Sequence, residues 1–318
     1  MSAPVDSVPV DPALAVLTIV AGRHDHLRGQ LDGLRRGSVR PGLHVVVGMG
    51  DPAVREVVSE DRAAARAADL AADRAGGAGG AVETVVVDLD VPDGGELPLA
   101  RARNLAADTA VGRGADLLVL LDVDCVPGTG TLSAYRGAAA DPLVRAAPGP
   151  RVLSGAVHYL PPRPGPGARY AHAELPDLAA PHPARPSPPP GTVVAATTAE
   201  RWLFWSLSFA VHVPDWSRLR FCEEYTGYGA EDTDLAAQVV AAGGSMFWVG
   251  GADAYHQHHP TRNPPVQHLD AILRNAATFH RRWGWFPMQG WLQEFERLGL
   301  ATYDAASSTW AAVASSSR

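Results

Sequence analysis

The sequence predicts an α/β protein: a doubly wound, mostly parallel sheet with flanking helices and a small antiparallel region beside it. Three observations predict it. Apolar runs of strand length alternate with helix-like segments through the first part of the chain, the signature of successive βαβ units. One run, Leu117-Leu118-Val119-Leu120-Leu121, is apolar throughout, as a central parallel strand covered on both faces must be. After Val126 the alternation breaks, and order returns only from Trp202.

The elements follow in order. Leu14 to Val20 is a strand, and Gly22-Arg23 turns it into a helix near His26 to Leu34. Leu43 to Val47 is the second strand, ending in Gly48-Met49-Gly50-Asp51. Val54 to Ala75, rich in Ala, Arg and Asp, reads as a solvent-facing helix. Val82 to Leu89 is a third strand and Pro98 to Val111 a helix. Tyr159 to Gly191 is too dense in Pro and Gly for regular helix or central strand; an inert insertion and a mobile loop over a site both stay open. Phe204 to Val211 is an aromatic strand, Asp234 to Ala242 a helix closed by Gly243-Gly244, and Met246 to Val249 a short strand. Leu269 to Trp283 and Trp291 to Leu298 are amphipathic helices, and the Ala- and Ser-rich tail after Tyr303 is expected to fray.

Composition narrows the function. The chain has 318 residues, 46% of them hydrophobic, enough for a large core. All 27 basic residues are Arg, so no Lys is available for a Schiff base or a phosphate contact; Arg, His, backbone amides or a metal must serve instead. A net charge of -7 and the lack of a basic stripe argue against a nucleic-acid partner. Two cysteines, Cys125 and Cys222, make no disulfide framework. Met1 to Asp11 lacks signal-peptide features, and no window approaches the roughly 20 apolar residues of a membrane helix, so a cytoplasmic protein without a transmembrane segment is expected. The aromatic stretch Trp283 to Trp291 is read as core, with a peripheral membrane contact or a dimer face as alternatives.

Three clusters carry chemistry. Asp122 and Asp124 end the apolar run; continued strand geometry would point both the same way, at the sheet edge where α/β proteins bind ligands. Paired carboxylates there need a cation or a donor-rich ligand, unless they are solvated acids in a turn. Gly227-Tyr228-Gly229-Ala230-Glu231-Asp232-Thr233-Asp234 precedes an apolar helix. One acid there can cap the helix, but three acids beside two glycines and an aromatic exceed what a cap requires. A carboxylate at a helix N-terminus stays ionised and can act as a general base. Tyr255-His256-Gln257-His258-His259 supplies imidazoles, with His256 and His258 on one face if the strand continues. Asp and His without a cysteine pair suit Mn2+ or Mg2+ better than structural zinc.

Together these residues resemble the nucleotide-sugar glycosyltransferases of the GT-A fold. Asp122-Val123-Asp124 is similar to their DxD motif, and GYGAEDTD resembles the GWGGEDDD motif of the galactosyltransferase C-terminal region. Leu99 to Asn104 is similar to the ARN segment of family-2 members, and the His cluster falls where the family keeps a metal ligand. The resemblance runs from about Val16 to His259. It implies a metal-dependent inverting transfer of a hexose from a nucleotide sugar, UDP-sugar favoured, to a hydroxyl of a glycan, lipid or small molecule. Asp124 and one His, His256 ahead of His258, would bind the divalent ion, and Asp122 would contact the ribose or a metal-bound water. Asp232 matches the catalytic base, with Glu231 beside it; Tyr228, Gly229 and Trp205 are the candidate acceptor and sugar contacts. Arg23, Arg103 and Asp51 are the candidate donor contacts.

By the same reading, residues 13–130 form the nucleotide-sugar half and 131–265 the acceptor half, with the Pro-rich loop at 159–191. Residues 266–302 form the C-terminal helices, while 1–12 and 303–318 lack order. The chain departs from the family at Arg220 to Glu224, where GGFDE is usual, and at Tyr228 and Ala230. One rival is a haloacid-dehalogenase-type phosphatase with Asp122 as nucleophile, although three strands precede Asp122 and no Lys follows it. Another is a non-catalytic sugar-binding protein of the same fold. Nucleotidyl transfer would need a richer phosphate loop than Ala21-Gly22-Arg23.

Overall fold

The computed structural model describes residues 8–74, 82–163, 165 and 169–313. The first half builds as β1 (Val10–Val20), α1 (His24–Arg36), β2 (Arg40–Met49), α2 (Ala53–Arg74), β3 (Glu83–Leu89), α3 (Leu99–Val111) and β4 (Leu117–Leu121). Then come β5 (Cys125–Pro127), α4 (Thr131–Ala140), α5 (Pro142–Ala146), β6 (Arg151–Tyr159), α6 (Leu175–Leu178), β7 (Val193–Ala195), β8 (Ser208–His212) and α7 (Val213–Trp216). The chain continues as α8 (Glu231–Ala241), β9 (Ser245–His256), α9 (Leu269–Trp283), α10 (Gln289–Arg297), β10 (Ala301–Asp304) and β11 (Thr309–Ala312).

Nine strands form one sheet in the order β3-β2-β1-β4-β8-β6-β9-β5, with β7 on the free side of β9. The first four are parallel, in register Leu17 with Val45 and Leu17 with Leu120. Strand β8 then runs antiparallel between β4 and β6, and β9 is parallel to β6. The unbroken apolar run of β4 follows from its place in this sheet. Leu118 and Leu120 pack with α3 alanines 102, 106 and 110, whereas Leu117, Val119 and Leu121 pack on the opposite face with Leu132 and Tyr135 of α4. Small side chains on α3 let that helix lie close to the sheet. Helix α2, expected to face solvent, is amphipathic: it buries Val54, Val57 and Val58 beside Leu27 and Leu31 of α1.

Several expectations change. Strand β1 starts at Val10, and Val10 and Asp11 pair with Arg40 and Pro41 of β2; residues 1–7 lie outside the described residues. The tail expected to fray forms the hairpin β10–β11, with Tyr303 opposite Trp310, and only 314–318 lie outside the described residues. Asp304 sets its turn by accepting from the Ala306 N–H and the Ser307 hydroxyl, while Ser308 takes φ 51°. The aromatic stretch at Trp283 packs against the core while staying partly exposed: Trp285 meets Phe279 edge-on at 4.6 Å, and Phe286, Met288 and Trp291 flank the α9–α10 cluster. Among the described residues no helix is long and apolar enough to cross a membrane.

Candidate active site

The site gathers where β1, β2, β4 and β9 end. Gly22 and Arg23 both adopt left-handed backbone (φ 61° and 50°), a turn that sends the Arg23 guanidinium onto Asp124. The Gly22 N–H donates to Asp51 Oδ2 at 2.7 Å, and His24 Nε2 meets the same oxygen at 2.8 Å. Asp51 therefore joins the ends of β1 and β2.

Strand β4 stops at Leu121, so Asp122 and Asp124 are not alternating strand residues as expected. They belong to a tight turn closed by Cys125 N–H to the Asp122 carbonyl at 2.8 Å. The buried Gln30 of α1 braces it, donating Nε2 to the carbonyls of Asp122 (2.7 Å) and Cys125 (3.1 Å) while accepting from Thr18 at 2.8 Å. Sequence patterning reads Gln30 as an ordinary helix residue; only the fold sets it behind the acids.

Asp122 and Asp124 face different partners. Arg103, nearly buried, donates to Asp122 Oδ1 at 3.1 Å and to Glu231 Oε1 at 3.3 Å, tying the two acidic motifs together. Burial lifts the Asp122 carboxyl to about 6 against the pull of Arg103. Burial acts the same way on Asp124, but His259, His256 and Arg23 overcome it and hold that carboxyl at about 2. Arg103, expected as a donor contact, thus spans two carboxylates. Its neighbour Asn104 clamps the Phe221 backbone through both amide ends (2.9 and 3.1 Å) and donates to Glu223.

The histidines regroup. Ligand atoms of Asp124, His256 and His259 lie within 4.8 Å of one another. His256 and His259 Nε2 each stand 3.5 Å from Asp124 Oδ2. His258, expected to share the face of His256, is exposed and points elsewhere. The physical reason is that β9 ends at His256: Gln257 turns inward, its N–H bonding the Asp124 carbonyl (2.7 Å) and its amide the His26 carbonyl (2.9 Å), so His259 returns to the cluster. Burial keeps the His256 imidazole below its ordinary range despite Asp124, which favours the neutral, metal-binding form. A carboxylate with two imidazoles is a donor set that suits Mn2+ better than the harder Mg2+, with open positions left for oxygen ligands.

Across from this cluster, the loop 227–230 enters α8 through three left-handed residues, Gly227, Gly229 and Ala230 (φ 73°, 97° and 78°). Asn275 of α9 holds it, donating to the carbonyls of Thr226 (3.0 Å) and Gly229 (2.9 Å). Gly229, at φ 97°, sits where side chains are strained, so the loop needs glycine there. Asp232 accepts from Ser206 N–H (3.1 Å) and Ser206 Oγ (2.5 Å), which fixes the carboxylate at the mouth of the site. Ser206 and Asn275 gave no signal in the sequence, because neither belongs to a motif that marks it. Tyr228 is 40% exposed and stacks on His268 at 4.7 Å, with Trp291 at 5.9 Å. Trp205, half-buried, precedes Ser206 and meets His182 edge-on at 5.1 Å, so the Pro-rich segment lies against the site.

The third acid is an anchor. Asp234 has no exposed surface and accepts from Tyr225, Arg282 (2.8 Å), Trp283 (2.7 Å) and Gln238 (2.7 Å), pinning α8 to the end of α9. Asp234→Ala should cost about 3 kcal/mol in denaturant unfolding, the low end for a broken buried pair because Arg282 can turn to water; a loss below about 1 kcal/mol would contradict the anchor.

Glu231 offers a pH signature. Burial, then repulsion from Asp232, pushes its carboxyl up to about 7 against Arg103. A folded-state value above the unfolded one means that the native state holds its proton longer, so stability falls as pH rises from about 4.5 to about 7. Glu231→Gln should flatten that decline in thermal unfolding across this window, and an unchanged slope would rule the effect out.

No protein-family model matches the chain, and no curated protein matches it in sequence. Solved structures do match. GalNAc-T7 with UDP, GalNAc and Mn2+ aligns over 82% of this chain and 48% of its own, at 12% identity and a TM-score of 0.51. TarS from S. aureus aligns over 88% and 45%, at 13% identity and 0.51. The mannosyltransferase PcManGT from Pyrobaculum calidifontis, in complex with GDP-Man and Mn2+, aligns over 88% and 68%, at 16% identity and 0.49. The chain spans about half the length of the first two. With its mixed α/β sheet, it has the GT-A fold of nucleotide-sugar glycosyltransferases.

Proposed function

We propose that this chain is a divalent-metal-dependent glycosyltransferase that moves a hexose from a nucleoside diphosphate sugar to an acceptor hydroxyl with inversion. The observation that carries this is the line of contacts from the Asp124–His256–His259 cluster, through the Asp122–Asp124 turn and Arg103, to Glu231 beside Asp232. Asp124, His256 and His259 would hold Mn2+ or Mg2+. Such an ion supplies charge neutralisation for the departing diphosphate. Arg23, paired with Asp124 in the structure, would turn to the donor's phosphates were Asp124 to hold an ion. Asp122, held by Arg103, faces the donor ribose, and Asp51 lies on the nucleotide side. Asp232 accepts the proton of the acceptor hydroxyl as its oxygen attacks the anomeric carbon; the bond to the diphosphate oxygen breaks and the electron pair leaves with it. Tyr228, Gly229 and Trp205 shape the sugar and acceptor subsite. A UDP-sugar is the favoured donor. The acceptor is a glycan, a lipid or a small molecule.

Incubation with UDP-, GDP- and dTDP-sugars should give Mn2+-dependent release of the diphosphate from one nucleotide class, and the product's anomeric configuration should be inverted by NMR. Phosphate release from a phosphomonoester without donor turnover would contradict the proposal and favour Asp122 as a phosphatase nucleophile.

A further inference from the structure

Arg185, in the Pro-rich segment, is a buried arginine without a hydrogen-bond partner among the described residues. The residue is 6% exposed, and none of Nε, Nη1 and Nη2 meets an acceptor there. Its guanidinium carbon lies over the rings of Trp205 (5.0 Å) and Trp248 (5.2 Å). These contacts attract the charge but satisfy none of the five N–H donors. Buried donors of this kind are normally met by an acceptor, and the planar fork of an arginine matches a carboxylate or a phosphate.

The surroundings say where that acceptor would come from. Burial disfavours the charge of Arg185, and Asp232, whose oxygens are held by Ser206, is a carboxylate whose charge favours it. A path of rings leads from Arg185 to the metal-ligand cluster. Trp205 meets His182 at 5.1 Å, His182 meets Tyr159 at 5.3 Å, and Tyr159 stacks on His256 at 4.6 Å. Arg185 is therefore joined through Trp205, the neighbour of the Ser206 that holds Asp232, to the base, and through the half-buried His182 and then Tyr159 to the cluster.

We propose that Arg185 is the anion-binding residue of a substrate subsite, so that the molecule bound beside Asp232 presents a carboxylate or phosphate group to it. This rests on the glycosyltransferase reading for where substrate sits. Two sources share the chemistry: the donor's diphosphate, and an anionic group on the transferred sugar or the acceptor.

The test titrates the whole chain with inorganic phosphate, glucuronate and neutral glucose at constant ionic strength, and with UDP and GDP in Mn2+. Thermal shift and tryptophan fluorescence are the readouts, on wild type, Arg185→Met and Arg185→Gln. The expected result is a saturable response to at least one anion and none to glucose, weakened at least about 10-fold in both variants. A loss confined to UDP or GDP assigns the donor's diphosphate; a loss with glucuronate or phosphate assigns the sugar or acceptor. Equal anion affinity in wild type and either variant that folds overturns the proposal, as does a wild type that responds to no anion. Arg185-dependent phosphate or glucuronate binding without any response to UDP or GDP would keep the anion subsite and sink the glycosyltransferase reading.

Discussion

Asp232→Asn is expected to lower turnover at least about 100-fold, the lower range for loss of a general base, while Mn2+-dependent nucleotide binding stays intact. The amide has the size of the carboxylate and keeps an oxygen for Ser206, whose N–H and hydroxyl hold Asp232. What it loses is the capacity to take a proton from the acceptor. Steady-state kinetics beside nucleotide titration separate the two effects, because a base acts on the chemical step and not on donor affinity. Turnover near the wild-type value would remove Asp232 from the mechanism.

Asp124→Asn should have the complementary effect, with metal-dependent nucleotide binding weakened beyond the roughly 10- to 100-fold that losing an outer-sphere partner costs. This carboxylate is the centre of the cluster, with two imidazoles at 3.5 Å and Arg23 on the same oxygen. His256→Ala and His259→Ala should each weaken Mn2+-dependent binding, and His258→Ala should leave it unchanged. Isothermal titration of UDP or GDP with and without Mn2+ measures all four. If His258→Ala weakens binding and His259→Ala does not, the cluster is not the metal site.

The contrast between those histidines shows what patterning reaches and what it misses. Strand β4 was legible because each residue is covered on one face or the other, so its sequence is apolar without a break. The edges of α9 were legible because its amphipathic face runs from Leu269 to Trp283 and stops at Gly284 in left-handed conformation. His259 was not legible, because its position depends on Gln257 reaching the His26 carbonyl across 231 residues. Strand β6 was hidden for another reason. Ser154, Gly155 and His158 interrupt its apolar character; the last two are tolerated because the Gly155 N–H bonds the Tyr135 hydroxyl and His158 bonds Asp253 and the Ala179 carbonyl.

The acidic motif at α8 was legible as a cluster but not in its division of labour. Asp232 faces the mouth of the site, Glu231 turns to Arg103, and Asp234 is sunk beneath Trp283 and Arg282. Helix geometry separates neighbouring side chains by about 100°, so three acids in one turn need not share a role. Arg185 was least legible of all, since a Pro-rich segment carries no periodicity from which to place a side chain.

The most direct test of the central claim is a thermal-shift comparison of UDP, GDP and dTDP, each with and without Mn2+. A ligand at about 100 times its dissociation constant adds about 2.7 kcal/mol, a shift of a few degrees. The account predicts a shift from one nucleotide class that requires Mn2+ and disappears in Asp124→Asn. Stabilisation by no nucleotide, or by one equally well without metal and in Asp124→Asn, would contradict it.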